Sequence, residues 1–321
     1  MTWDEYRSVS RKGRGTPLSV RDRRQVWQVL EKVLAHLDNE HKADWGHYFR
    51  RASDVLAAGL VSQGFDAVIV DEVQELKFLA TLAGDGPNRF MMVGDGGQRI
   101  YQGKFSLKSL GINVQGRSRT LKINYRTTEQ IRRFADRITE LESDDLDGSR
   151  ETRKGTVSLL QGPEPVLTAF DSPEQQAQFV AEEIQRLAER GLLLSEIGIF
   201  ARTRYLLSPV QEHLKHLQIP YINLNNPYNE SGLAVRFGTM HRAKGLEFKA
   251  VFAIDLSDNT LPLPKALSEA SDDEAKAESI ELERHLLYVT ITRARDFAYL
   301  CWQGEPTQFL SLSTLHHPTA R

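Results

Sequence analysis

Apolar residues follow two patterns along this chain. In VWQVLEKVLAHL they recur at three- and four-residue spacing, which predicts an amphipathic helix over residues 26–37, and SDVLAAGL predicts a second short helical stretch. Short strand-like runs in AVIVDE, RFMMVGD and TLKINY predict strands separated by helical or turn-rich segments. This alternation predicts parallel β-α-β packing.

The alternation resumes after LESDDLDGSRETRKG, a charged stretch that we expect to be a surface loop. Further strands are predicted in PVLTAF, EIGIFAR, IPYINL, LAVRFGTM, AVFAIDL and FAYLCW. Helices are predicted in SPEQQAQFVAEEIQRLAER, YLLSPVQEHLKHL and ERHLLYVTITRAR, the last one preceded by the acidic SEASDDEAKAESIELE. We therefore predict an α/β fold with two units in tandem, each a parallel sheet flanked by helices.

Net charge, cysteine content and the length of apolar runs each bear on where the protein works and what it binds. The 41 Lys and Arg against 43 Asp and Glu leave a net charge of −2, so nucleic-acid binding would need a local basic track. The single cysteine, Cys301, forms no internal disulfide, which fits a reducing cytoplasm. No apolar run approaches the roughly 20 residues of a membrane span, and the first residues lack the apolar stretch of a signal peptide, so we expect a cytoplasmic protein without a membrane partner.

The basic stretch RKGRGTPLSVRDRR precedes the first predicted long helix. We favour a solvated loop over a phosphate-binding patch, because a run of charges is usually a solvated surface.

Two adjacent carboxylates, Asp71 and Glu72, follow the apolar run AVIV. A run that is apolar on both faces suits a central parallel strand, and ligands of such sheets bind beyond the carboxyl ends of the strands. In a phosphate-transferring site the first carboxylate would hold Mg²⁺ and the second would activate water. The alternative is a helix N-terminus near Val73, capped by Asp71 with Glu72 in the first turn. These residues alone leave both interpretations open.

The next predicted strand has a similar ending. RFMMV is followed by Gly94, Asp95, Gly96, Gly97 and Gln98, whose glycines would let the backbone approach a ligand. Two neighbouring strands with polar, Gly-rich ends favour one shared site over two unrelated turns.

Five segments together resemble a known family. DEVQEL, VGDGGQRIY, LKINYRTTEQI, FGTMHRAKGLEF and LLYVTITRAR occur in the order and approximate spacing of motifs II to VI of superfamily 1 DNA helicases of the UvrD/Rep type. The resemblance covers residues from about 65 to 300. It implies two RecA-like lobes of the P-loop NTPase class, which bind ATP and Mg²⁺ between them and move along single-stranded DNA.

The resemblance also implies roles for individual residues around the nucleotide. Asp71 resembles the Mg²⁺ ligand and Glu72 the base that activates water. The other nucleotide-contacting positions are Gln74 and Gln98 as γ-phosphate sensors, Tyr125 as the ring stacked on adenine, Arg126 and Arg293 at the γ-phosphate, and Gly245 and Glu247 in motif V. Two arginines suit this task because the transition state spreads negative charge over the γ-phosphoryl oxygens.

Three further positions match segments that touch DNA in the family. Thr239 and His241 match a segment at the DNA backbone, and Tyr101 would stack on a base or fill a packing gap. Simpler interpretations stay open: His241 as a hydrogen-bonded structural histidine, and Arg126 and Arg293 as surface ion-pair partners. Glu247-Phe248-Lys249 also reads as part of a nuclease signature, an interpretation that we disfavour because it lies inside a helicase motif.

The chain departs from the family in having no G-x-x-x-x-G-K-[ST] sequence. That loop would hold the β- and γ-phosphates, so we expect this chain alone to be inactive and to need a P-loop segment from the same or a companion chain.

Glu75 stands where the family usually has Asp, and QGKFS lacks the usual arginine. We predict a helical end of an accessory subdomain over residues 1–60, part of the first lobe over 61–118, and a complete second lobe over 119–321 without a large inserted subdomain.

We therefore expect the C-terminal part of an ATP-dependent 3′-5′ DNA helicase that acts on single-stranded or partly double-stranded DNA. The alternatives are a non-catalytic helicase remnant that binds DNA or a partner chain, and one half of a split helicase.

Overall fold

The computed structural model describes most of the chain in two compact units. The described residues are 2–8, 19–60, 65–71, 76–83, 88–94, 117, 119–139, 142–144, 150–152, 155–224, 233–270 and 272–310. Of these, residues up to 94 and residue 117 belong to the first unit, and those from 119 onward belong to the second. No helix among them is long and apolar enough to cross a membrane.

Helices and strands alternate through most of both units. The described helices are α1 (Trp3–Ser8), α2 (Val20–Asn39), α3 (Trp45–Ala57), α4 (Leu76–Ala83), α5 (Glu129–Ile138), α6 (Pro173–Glu189), α7 (Ser208–His216), α8 (Pro264–Ser268) and α9 (Asp273–Ile291). The described strands are β1 (Val68–Asp71), β2 (Phe90–Val93), β3 (Ile123–Thr128), β4 (Glu142–Asp144), β5 (Arg150–Thr152), β6 (Val157–Leu160), β7 (Val166–Phe170), β8 (Ile197–Ala201), β9 (Tyr221–Asn223), β10 (Val235–Thr239), β11 (Phe248–Ala253) and β12 (Ala294–Gln303).

The predicted helix over residues 26–37 is confirmed and is longer at both ends, as α2. It begins after Ser19, whose hydroxyl accepts from the N–H of Asp22 at 3.2 Å while the Asp22 carboxylate accepts from the N–H of Ser19 at 3.2 Å. This reciprocal cap satisfies two backbone donors that would otherwise lack partners. Sequence periodicity misses the first turn because that turn is held by polar caps and not by apolar contacts.

The first unit contains the parallel pair β1 and β2, in which Ile69 is paired with Met91 and Asp71 with Val93. Val70 is buried, but Ile69 is 71% exposed, so the expectation that AVIV is covered on both faces is wrong for the described part of the chain. Alternate residues of a strand point to opposite faces. Helix α4 contacts β1, and a single helix layer covers one face only.

The second unit is built on a six-stranded sheet, and the predicted α/β fold with parallel strands is confirmed. The strand order is β7-β12-β11-β8-β10-β9, and all five neighbouring pairs are parallel. Every residue of β8 is buried, as suits a central strand of such a sheet.

Helices cover both faces of this sheet. On one face, Val251 and Leu300 pack with Phe134 of α5 and Leu287 of α9. On the other face, Phe252 of β11 packs within a cluster that includes residues of α6 and α7. Because Val251 and Phe252 are consecutive, one strand contributes to both cores, which explains why these strands read as continuous apolar runs.

Two boundaries differ from the predictions. The stretch LESDDLDGSRETRKG contains the short antiparallel pair β4 and β5, so it is wrong to describe it as loop throughout. Helix α9 begins within the acidic stretch and ends at Ile291, so the prediction of a helix through TRAR is wrong at its end. Ala294 instead enters β12, because it pairs with Phe248 of β11.

Candidate functional site

Three candidate residues from separate sequence motifs lie together in the second unit. The backbone N–H of Phe248 donates to the carbonyl oxygen of Arg293 at 3.0 Å, which places Glu247 and Arg293 side by side at the amino ends of β11 and β12. The carboxylate of Glu247 forms an ion pair with the Arg126 guanidinium at the Nε atom. The fold therefore brings together residues that are more than 160 positions apart in sequence.

The backbone around Tyr125 and Arg126 is held by Asn124. The Asn124 side-chain oxygen accepts from the N–H of Arg126 at 2.7 Å, and its amide nitrogen donates to the Thr127 hydroxyl at 2.8 Å. The register of β3 against β6 shifts between Asn124 and Thr128. Tyr125 is 68% exposed, and 44% of the Arg126 side chain is exposed. Both the Tyr125 ring and the Arg126 guanidinium are therefore accessible to a ligand. These groups are suited to stack on a base and to bind phosphate oxygens.

Arg293 lies in a different environment, since only 2% of it is exposed. Its Nε donates to the carbonyl oxygen of Val289 at 3.1 Å, in the last turn of α9. The interpretation of Arg293 as a surface ion-pair partner is therefore wrong. For Arg126 that interpretation stays open, because its pair with Glu247 is exposed.

Thr239 and His241 lie at the opposite edge of the sheet. Thr239 is the last residue of β10, and His241 follows in a 3₁₀ turn, Met240–Ala243. The chain then passes Gly245, whose φ of 80° favours glycine, before β11 begins. Since β10 and β11 run in the same direction, residues 240–247 cross from the carboxyl edge to the amino edge. Thr239 and His241 are thus separated from Glu247 and Arg293 by the height of the sheet.

An ion pair that the sequence analysis missed lies close to His241. Arg202, just after β8, donates two hydrogen bonds of 2.6 Å to Glu283 of α9, and both side chains are largely buried. Burial lowers the pKa of His241 from its ordinary value of 6.5; the Arg202 charge lowers it further, and the Glu283 charge opposes both. The only signal in the sequence was an arginine at the end of the predicted strand EIGIFAR.

A second polar cluster occupies the carboxyl ends of β11 and β12. Asp255, which has φ of 56°, accepts from the side-chain amides of Gln176 at 3.2 Å and Gln303 at 3.0 Å. Burial raises the pKa of the Asp255 carboxyl, and the hydrogen bond from Gln176 opposes this shift. Since these side chains satisfy one another, we assign the cluster to holding α6 against the sheet.

The remaining candidates fall in other parts of the chain. Asp71 is the exposed last residue of β1 in the first unit, and no cluster of three metal-binding side chains occurs among the described residues. Glu72, Gln74, Gln98 and Tyr101 lie outside the described residues. Lys249 pairs with Glu196 at 2.6 Å and Glu247 pairs with Arg126, an arrangement that does not support the nuclease interpretation.

A comparison with known protein families shows the family to which this chain belongs. The model of the UvrD-like helicase C-terminal domain matches residues 119–229 and 223–305, which is more than half of the sequence. The chain belongs to the UvrD-like helicase C-terminal domain family. The resemblance found in the sequence is thereby confirmed, and Arg126, Glu247 and Arg293 all lie within the UvrD-like region.

Individual relatives of this UvrD-like chain are DNA helicases. A protein described as "Probable DNA helicase" from Mycoplasma pneumoniae is 27% identical over 291 residues, which cover 84% of this chain and 51% of that protein. ATP-dependent DNA helicase UvrD2 of Mycobacterium bovis is 47% identical over 68 residues, 21% of this chain and 9% of that protein. DNA helicase II of Haemophilus influenzae is 29% identical over 170 residues, 50% of this chain and 22% of that protein. The chain thus spans about half the length of the Mycoplasma protein, and less of the other two.

Proposed function

We propose that this chain is the C-terminal part of an ATP-dependent DNA helicase that moves 3′ to 5′ on single-stranded DNA. The observation that carries the proposal is the meeting of Arg126, Glu247 and Arg293 in one unit of a chain that belongs to a helicase family. An exposed guanidinium attracts an anion or a carboxylate. Here Glu247 balances Arg126, and a triphosphate would compete for the same guanidinium.

The proposed roles follow from exposure and chemistry. Tyr125 stacks on the base, Arg126 exchanges Glu247 for γ-phosphoryl oxygens, and Arg293 adds positive charge from a fixed, buried position. ATP supplies the phosphoanhydride bond whose hydrolysis releases free energy for movement. Asp71 would hold Mg²⁺, which would neutralise charge on the phosphate oxygens; Glu72 would accept the proton of the attacking water, and Gln74 and Gln98 would contact the γ-phosphate. Thr239, His241 and Tyr101 contact DNA.

ATP hydrolysis by this chain depends on the G-x-x-x-x-G-K-[ST] loop, which the sequence given does not contain. We propose that the chain turns over ATP only with a P-loop segment of the same or a companion chain, because the G-x-x-x-x-G-K-[ST] sequence that would cradle the β-phosphate does not occur in the sequence given. We also keep the domain assignment as a proposal: residues 1–60 accessory, 61–118 first lobe, 119–321 second lobe. A remnant that binds DNA without hydrolysis, or one half of a split enzyme, would share these residues.

The test measures Mg²⁺-ATP hydrolysis and single-stranded DNA binding by the chain, alone and with a P-loop polypeptide from a UvrD-like relative. We expect DNA binding in both cases and DNA-stimulated turnover only in the mixture, lost in Glu72→Gln and in Arg126→Ala. Turnover by the chain alone that disappears in Glu72→Gln would contradict the P-loop requirement and support the motor. Absence of both DNA binding and turnover would contradict the proposed function.

A further inference from the structure

Strand β3 contains a bulge at the residues proposed to contact the nucleotide. Asn124 and Thr128 are four positions apart in β3, but their partners in β6, Ser158 and Leu160, are only two positions apart. Between these pairs β3 therefore has two residues more than β6. Extra residues bend a strand away from its partner and re-aim its side chains. The bulge explains why Tyr125 is exposed while Thr128 is buried.

The first residue of α5 connects the two ends of this bulge. Glu129 directly follows β3 in sequence, and its Oε2 atom accepts from the backbone N–H of Ser158 at 2.8 Å. Ser158 is paired with Asn124, at the start of the bulge. The Glu129 side chain therefore links the end of the bulge to the residue opposite its start. A hydrogen bond from a backbone N–H to a charged acceptor is among the stronger ones in proteins.

Arg132, one turn further along α5, orients the Glu129 carboxylate. Its Nε donates to Glu129 Oε2 at 3.1 Å, its Nη2 donates to Oε1, and its Nη1 pairs with Asp136. Side-chain exposures are only 13% for Arg132, 21% for Glu129 and 10% for Asp136. The hydrogen bond with Arg132 lowers the pKa of Glu129, burial opposes this shift, and the N–H of Ser158 adds to the lowering. Glu129 is thus an ionised acceptor held in one orientation.

The second residue of α5 forms a further connection to the end of β6. The Gln130 side-chain oxygen accepts from the N–H of Gly162 at 3.0 Å, and its amide nitrogen donates to the Gln161 side chain at 3.1 Å. A Cβ atom at Gly162 would lie 2.6 Å from the Thr128 methyl carbon, so this close approach requires glycine. Helix α5 therefore holds the backbone of this segment at two points, Ser158 and Gly162.

We propose that Glu129 is a positioning residue that fixes the directions of Tyr125 and Arg126, with Gln130 in support. The proposal rests on the proposed function, since it concerns the two residues assigned there to the nucleotide. Asn124 holds the backbone inside the bulge, and Glu129 holds its ends. Without Glu129 the exposed ring and guanidinium sample more orientations, and fewer of these match a bound nucleotide.

The first test measures hydrogen–deuterium exchange of the full chain by mass spectrometry. In Glu129→Ala we expect the amides of residues 124–128 and 157–160 to exchange about tenfold faster, because a hydrogen bond to a charged group is lost locally. Gln130→Ala removes the second connection and should accelerate the same amides about threefold. The buried strand β8, residues 197–201, should be unchanged in both variants. Equal acceleration in β8 would show a loss of general stability and would overturn the proposal.

The second test measures ATP hydrolysis by the full chain mixed with the P-loop polypeptide of a UvrD-like relative. We expect Glu129→Ala to lower kcat/KM for ATP about tenfold, since small misplacements of contacting groups are costly. The matched control is Glu174→Ala, which removes the same charge from an exposed position in the first turn of α6 and should leave kcat/KM unchanged. An equal loss in this control, or a wild-type kcat/KM in Glu129→Ala, would overturn the positioning role.

The two proposals fail in different experiments. A wild-type mixture without turnover, or Arg126→Ala with the kcat/KM of the wild type, contradicts the proposed function. Wild-type exchange at residues 124–128 in Glu129→Ala overturns the role of Glu129 whether or not ATP is hydrolysed.

Discussion

Arg126 and Arg293 have the same side chain in opposite environments. The Arg126–Glu247 pair leaves 44% and 60% of the two side chains exposed, so solvent screens their attraction. Arg293 is almost fully buried and is anchored to Val289. Exposure therefore suits Arg126 to an exchange of partners, whereas burial suits Arg293 to a fixed position.

This difference predicts unequal effects on stability. Glu247→Gln should lower the free energy of unfolding by no more than about 1 kcal/mol, because exposed pairs contribute little. Arg293→Ala should cost about 2–4 kcal/mol, because it leaves a cavity and unpaired buried groups. Urea denaturation of the two variants and the wild type measures both values. Equal losses would contradict the conclusion that Arg293 is buried and held in a fixed position.

His241 provides a prediction about pH. Its pKa lies below 6.5 in the folded chain, so the unfolded chain binds its proton more readily. The stabilising contribution of the neutral imidazole is therefore present above about 6.5 and is lost as the pH falls toward the lower folded value. NMR titration of the His241 ring, assigned with His241→Gln, should show the lowered pKa. Glu283→Gln should lower it further, since Glu283 opposes the shift; a pKa at or above 6.5 in the wild type would contradict the burial argument.

Helix α9 connects the two edges of the second unit. Its residue Glu283 holds Arg202 near the carboxyl end of β8 and also accepts from the N–H of Leu263 at 3.3 Å. The helix ends at Ile291, two residues before Arg293 at the amino end of β12. One rigid element therefore joins the surroundings of His241 to the surroundings of Glu247.

Breaking the Arg202–Glu283 pair should be costly when only one partner is removed. Arg202→Met leaves a buried carboxylate without its counter-charge, and we expect a loss of about 3–5 kcal/mol in unfolding free energy. The double variant Arg202→Met/Glu283→Leu removes both charges and should be clearly more stable than the single one. Thermal and urea denaturation measure the difference, and a double variant as unstable as the single one would contradict this view of the pair.

At the scale of the whole molecule, the second unit contains its own core on both faces of the six-stranded sheet. A domain with its own core folds independently in most proteins. A fragment of residues 119–310 should therefore unfold in one cooperative transition and retain a near-UV circular dichroism spectrum. Loss of that spectrum with retained far-UV signal would show that the packing depends on the first unit.

The elements of the second unit were predictable because each apolar run matches the period of its structure. IGIFA and AVFAI are apolar at every position, as strands covered on both faces must be, and the helices of α6 and α7 carry apolar residues at three- and four-residue spacing. Predictions failed where polar contacts or tertiary pairing set the boundary, as at Ser19, at β4 and β5, and after Ile291. Local patterns contain no information on which distant strand a residue will join.

The sequence by itself determined the α/β class, the family and the identity of the candidate residues, since periodicity and motif spacing are local properties of the chain. Only the tertiary structure decided that β8 lies between β10 and β11, and therefore that Thr239 and His241 are at one edge of the sheet and Glu247 and Arg293 at the other. Likewise, only packing decided that Arg126 is exposed, that Arg293 is buried and that Arg202 meets Glu283. The reason is that strand order and burial arise from contacts between residues far apart in sequence, and their free energy depends on neighbours that no local pattern specifies.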